Sequence, residues 1–202
     1  MGTITNLAYL VSATLFILGL KGLSSPRTAR RGNLLSAMGM LIAIVVTLFD
    51  RQIIDFTYII AGIAIGGSLG AISAWQVPMT AMPQMVAVLN GSGGGASAMV
   101  AVAEFLRMTS QPSVDVSVTL VLSLLIGTVT LTGSLLAAGK LQGVLRGSPV
   151  VFPFQQTLNL FLLIIVLITA TLFVLSSPSL YKVVIITLVG AVLGVLAVIP
   201  IG

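Results

Sequence analysis

The chain has 202 residues, of which 57% are hydrophobic and only 6% charged, with a mean hydropathy of +1.20. Soluble domains carry about 25% charge, so this composition excludes a water-covered globule and indicates a membrane protein. The absence of His and Cys excludes a His/Cys zinc site, a Cys nucleophile, disulfides and an imidazole base within this chain. The net charge of +5 would suggest nucleic acid in a soluble protein; here the basic residues read as topology determinants at membrane ends, and no nucleic-acid partner is expected.

A helix needs about 20 apolar residues to cross roughly 30 Å of hydrocarbon. Seven runs qualify in chain order: Ile4 to Leu20, Leu34 to Phe49, Phe56 to Trp75, Met82 to Leu106, Val116 to Gly139, Thr157 to Leu175 and Val183 to Ile201. The first lacks a basic leader region and a cleavage site, so it reads as a retained span. Period-two alternation is absent, which argues against a membrane barrel. The predicted fold is therefore all-α, a polytopic transmembrane helix bundle with about seven spans. Pro26, Pro78, Pro83, Pro112, Pro149, Pro153 and Pro178 sit at or near span boundaries, where a missing amide donor is tolerated.

Lys21, Arg27, Arg30 and Arg31 follow the first span, and Lys140 and Arg146 follow the fifth; the alternate loops hold Arg51, Arg107 and Lys182. Six basic residues against three predict cytoplasmic placement of the first set and an N-terminus outside. The C-terminus is then cytoplasmic. Asp50, Arg51, Asp55 and Asp115 read as solvated boundary residues, and the bare ending at Pro200-Ile201-Gly202 suggests a piece of a longer polypeptide.

Gly62, Gly66 and Gly70 form two overlapping GxxxG steps in the third span, and Gly190 with Gly194 forms one in the seventh; both read as close-packing faces. The fourth span contains Asn90-Gly91-Ser92-Gly93-Gly94-Gly95, a formal G-x-G-x-x-A match. A dinucleotide fingerprint needs a preceding strand and an aqueous helix N-terminus, so a nucleotide site is rejected. Each Gly weakens a helix by about 1 kcal/mol relative to Ala, leaving two readings: close packing, or a locally unwound segment lining a cavity.

Asn90, Gly94, Ser97, Ala101 and Glu104 recur at steps of four and three and share a helical face. The rise from Asn90 to Glu104 is about 21 Å, much of the hydrocarbon thickness. Thr119, Ser123, Gly127, Thr130 and Ser134 make a comparable stripe on the fifth span. The two stripes are expected either to hydrogen-bond between helices or to face each other across a narrow wet path. Glu104, a carboxylate within a span, is by default functional, against an interfacial ion pair with Arg107.

The segment Met79-Thr80-Ala81-Met82-Pro83-Gln84-Met85-Val86-Ala87-Val88-Leu89-Asn90 resembles the fourth membrane helix of the beta subunit of proton-translocating NAD(P) transhydrogenase. The stretch Thr132 to Gly143, with Pro153 and Asn159-Leu160, is similar to the following helix, cytoplasmic loop and sixth-helix start. Leu18 to Ser24, with Thr28, Arg30, Arg31, Gly32 and Asn33, resembles the first helix end and loop.

The resemblance implies hydride transfer between NAD(H) and NADP(H) in soluble domains, coupled to proton passage through a membrane domain represented here by residues 1–202. It implies no catalytic, cofactor or metal residue in this chain. NAD and NADP belong to the complete enzyme, whose cytoplasmic NADP-binding domain is absent here. Alpha-subunit partners, a dimer of protomers and a bacterial inner membrane are likewise implied. Many family members carry a membrane His where this sequence has Asn90, and Asn cannot titrate. The expected proton-path residues are Asn90, Ser97, Glu104, Ser123, Thr130 and Ser134. Two other readings compete: a secondary-transporter fragment with its substrate at a glycine-rich break in the fourth span, and a structural scaffold for partner subunits.

Overall fold

The computed structural model describes residues 2–50, 56–176 and 178–201. They form seven long helices: α1 Gly2–Leu23, α2 Ala29–Asp50, α3 Thr57–Gln76, α4 Met82–Arg107, α5 Val114–Leu141, α6 Gln155–Leu175 and α7 Leu180–Val198, with one short 3-10 turn at Met79–Ala81 before α4. All seven are long and apolar enough to cross a membrane. No strand occurs among the described residues. Large apolar side chains stand exposed along every helix, as expected where lipid rather than water is the solvent.

The helices overrun the apolar runs at several ends. α2 begins at Ala29 rather than Leu34, taking in Arg30 and Arg31, because nothing at these positions breaks a helix. α4 carries Pro83 in its first turn, where proline is tolerated. α7 begins at Leu180 and ends at Val198, so Lys182, read from the sequence as a loop residue, is a helical one. The side chain of Asp50, and Arg51 and Asp55 altogether, lie outside the described residues.

The chain divides into two compact units, Met1–Ser73 and Ala74–Gly202. In the first, α1 and α2 form a tight hairpin. A Cβ added at Gly32 would lie 2.6 Å from the Gly19 carbonyl oxygen and 2.8 Å from the Gly22 carbonyl carbon, and one at Gly39 would lie 2.8 Å from the Ser12 carbonyl oxygen. Ser12 Oγ donates to the Gly39 carbonyl across the pair, and Tyr9 and Thr47 hydroxyls bond at 2.8 Å. None of the residues of α3 is buried, and a Cβ at Gly62, Gly66 or Gly70 would meet nothing within 4 Å.

In the second unit α5 is central, packed on one side against α4 and on another against α7, with α6 completing the group. One end is filled by Ala101, Leu120, Val121, Leu124, Phe173, Val183 and Ile186, with the Phe105 and Phe173 rings 6.2 Å apart. The predicted Gly190–Gly194 face packs on α5. A Cβ at Gly194 would lie 3.0 Å from Val129 Cα and also against Thr132 Oγ1, whose hydroxyl donates to the Ala191 carbonyl at 2.9 Å.

The last carbonyls of a helix have no intrahelical donors and need partners. Lys140 supplies them for α7, its Nζ donating to Val198 O at 3.2 Å, Ile199 O at 2.8 Å and also Ile201 O. A cation is favoured at this negative end of the helix dipole. Gln155 Nε2 donates to Leu196 O at 3.3 Å and the Val150 amide to Ile199 O at 3.1 Å.

Candidate proton-path edge between α4 and α5

The glycine-rich run is continuous α-helix from Met82 to Arg107, which decides for close packing and against the alternative of an unwound segment. Its glycines are absorbed by packing. Gly91, Gly94, Ala98 and Ala101 are the buried residues of α4, and their spacing of three and four puts them on one stripe. A Cβ at Gly94 would lie 2.8 Å from the Gly127 carbonyl oxygen, and one at Gly127 would lie 2.6 Å from the Gly94 carbonyl oxygen. Backbone therefore touches backbone, leaving no gap for water at that crossing. A substrate cavity at a break in α4, the premise of the transporter reading, has no structural counterpart.

The polar stripe lies beside this seam. At 100° per residue, Asn90, Ser97 and Glu104 project about 80° away from the centre of the buried stripe. All three are exposed on this chain, whereas Ser123, Thr130 and Ser134 of α5 are half-buried. One direct link crosses the seam: Asn90 Nδ2 donates to Ser134 Oγ at 2.8 Å. Thr130 meets α4 through its carbon atoms, Cβ being 2.7 Å from a Cβ placed on Gly94. Among the described residues no hydrogen bond ties Ser97, Glu104, Ser123 or Thr130 across the seam, and none of them is part of an ion pair. The Glu104–Arg107 ion pair, the alternative to a functional Glu104, is thus not formed. Thr119 turns inward on its own helix, its hydroxyl donating to Asp115 O at 2.8 Å.

The Asn90–Ser134 pair has a defined chemical capacity. Ser134 Oγ accepts from the amide, so its own proton remains available to a further acceptor, and Asn90 Oδ1 remains open as an acceptor. The pair thus retains donors, the second Nδ2–H and the Ser134 hydroxyl, and the Oδ1 acceptor. Neither side chain changes charge near neutral pH. Among the six predicted residues only Glu104 bears a titratable group.

Sequence reasoning missed three polar anchors. Lys182 is buried at 4% exposure, its Nζ donating to Leu172 O at 2.9 Å and Ser176 Oγ at 2.6 Å, where it ties the end of α6 to α7. Gln84 Nε2 donates to Leu141 O at 2.9 Å, joining the start of α4 to the end of α5. Lys140 holds the end of α7 as described above. A signal for Lys182 was present: Pro178-Ser179 is a helix-start pattern that places Lys182 in a first turn.

Seven helices long and apolar enough to cross a membrane, packed in part through glycine seams, define a polytopic α-helical membrane protein. The match to known proteins is more specific. The NAD(P) transhydrogenase beta subunit family matches residues 5–202, and the chain belongs to that family. Two relatives named NAD(P) transhydrogenase subunit beta, one from Rhodospirillum rubrum and one from a designated strain of that organism, are each 40% identical over 161 residues. The matched region is 76% of this chain and 35% of each relative, so the chain spans about a third of the length of those proteins.

Proposed function

We propose that residues 1–202 are the proton-translocating membrane part of an NAD(P) transhydrogenase, and that the polar edge of the α4–α5 seam is one wall of its proton path. The observation that carries this reading is the Asn90–Ser134 hydrogen bond, 2.8 Å long, set within a polar edge that includes Ser97 and Glu104 on α4 and Ser123 and Thr130 on α5. A hydroxyl that accepts from an amide and still donates onward is a relay for a hydrated chain. Proton hopping along water needs such orientation more than it needs a charge.

The α4 side of the edge is exposed in the second unit, so the opposite wall is supplied by further helices packed against it. The beta-subunit designation of the relatives supports an alpha subunit as one source of them, with two such protomers forming a dimer. Hydride transfer between NAD(H) and NADP(H) takes place in domains other than this one, which supplies no cofactor ligand. The membrane is the inner membrane of a bacterium, with the N-terminus outside and the Lys21 to Gly32 turn cytoplasmic. Glu104, toward the far end of α4, is the titratable group at the outer mouth of the path.

Asn90→Leu in the complete enzyme, reconstituted in vesicles, tests the reading against Val88→Ala as a control on a different part of the helix surface. Asn90→Leu should slow proton uptake coupled to turnover while NADP(H) still binds. Wild-type pumping by Asn90→Leu would reduce this edge to packing.

A further inference from the structure

We propose that the turn joining α1 to α2 is a binding surface for the headgroups of anionic phospholipids. Lys21 lies in the last turn of α1, Arg27 in the connection, and Arg30 and Arg31 in the first turn of α2; all four are exposed. No Asp or Glu precedes Asp50, so neither helix neutralises these charges at that end. A cluster of this kind beside a membrane span attracts anionic lipid.

Packing gathers the cations. A Cβ at Gly22 would lie 2.8 Å from Gly32 Cα. Lys21 and Arg31 each immediately precede one of these touching glycines, so the helix contact holds their backbones close together. The connection is tied down: Thr28 Oγ1 donates to Gly22 O at 2.6 Å, Ser24 Oγ to Lys21 O at 2.7 Å, and the Gly32 amide to Thr28 O at 2.9 Å. A surface organised in advance loses little entropy on binding.

The arrangement is electrostatically uncomfortable without an anion. Arg30 and Arg31 occupy the positive end of the α2 dipole, and the first turn has no acid, the reverse of the usual preference. The four like charges also fall within eleven residues of one another with no acidic residue among them. A phosphodiester relieves both conditions, and the planar guanidinium fork matches its oxygens. A lipid fits better than free phosphate because Leu20, Leu23 and Leu34, at 53%, 43% and 62% exposure, stand beside the cations on the same two helices and suit an acyl chain. Since α1 and α2 both span, their turn emerges at headgroup depth on whichever side it faces. The inference therefore does not depend on the proton-path reading.

The test is the relative association of spin-labelled phosphatidylglycerol and phosphatidylcholine with the complete enzyme in phosphatidylcholine vesicles, read by electron paramagnetic resonance. Phosphatidylglycerol should be preferred, and the preference should fall by about fivefold or more in R27Q/R30Q/R31Q. It should survive in R27K/R30K/R31K, which keeps the charge, and in Arg146→Gln, which removes an exposed charge elsewhere. If the glutamine variant does not assemble, the wild-type preference must still fall as salt rises. Absence of a preference, insensitivity to salt, an equal loss in Arg146→Gln, or displacement of the labelled lipid by inorganic phosphate would overturn the proposal.

Discussion

Adjacent glycines on α4 should respond to the same substitution with opposite sign. A Cβ at Gly93 meets nothing within 4 Å, whereas one at Gly94 lies 2.7 Å from Thr130 Cβ, 2.8 Å from Gly127 O and 2.9 Å from Thr130 Cγ2. Ordinary contact begins at 3.4 Å, so Gly94→Ala must part α4 and α5 by roughly 0.6 Å at a crossing where backbones touch. Overpacking of this kind costs about 1–3 kcal/mol. Both variants gain about 1 kcal/mol of helix propensity, and that gain cancels when they are compared with each other. Gly93→Ala should therefore be more stable than Gly94→Ala by about 1–3 kcal/mol. Reversible unfolding of the purified subunit in mixed micelles titrated with SDS measures the difference. Equal stability of the two variants would refute the seam, and with it the placement of Asn90 against Ser134.

Two further outcomes rest on the lysines and one on orientation. Lys140→Met should release three carbonyls at the end of α7 and destabilise the subunit by about 1–3 kcal/mol in the same titration, with faster hydrogen exchange confined to the Val195–Val198 turn. Lys182→Met should loosen the α6–α7 connection, where Nζ bridges Leu172 O and Ser176 Oγ, and should cost a similar amount; an unchanged midpoint for either variant would contradict its anchoring role. A cysteine at Ser25 should react with an impermeant thiol reagent only from the cytoplasmic side, and labelling of intact cells from outside would reverse the topology.

Hydropathy and length located all seven helices, because a span must be apolar across its full width whatever it packs against. Their ends were less legible. The apolar criterion stops at charge, so it cut α2 short of Arg30 and Arg31 and α7 short of Lys182, although a helix continues until its backbone donors or acceptors find other partners. The spacing of Asn90, Gly94, Ser97, Ala101 and Glu104 revealed a stripe. It did not reveal that Gly94 and Ala101 turn into the seam while Asn90, Ser97 and Glu104 stay at its edge, a division set by how closely α5 approaches. The Asn90–Ser134 contact was hidden for the same reason, since the sequence contains the two stripes but not their register. Glycine content alone also left a break and a packing seam equally open. Gly127 on the facing helix decided between them, its backbone lying where only another glycine leaves room.

The most direct measurement of the central claim is proton uptake by vesicles carrying the complete enzyme with Asn90→Leu and Ser134→Ala, singly and together. If the two side chains act as one relay, each single substitution should slow pumping and the double should be little worse than the more damaging single, the non-additivity expected of groups in one hydrogen-bonded unit. Independent, additive losses, or full pumping by the double variant, would contradict a proton path along the α4–α5 edge.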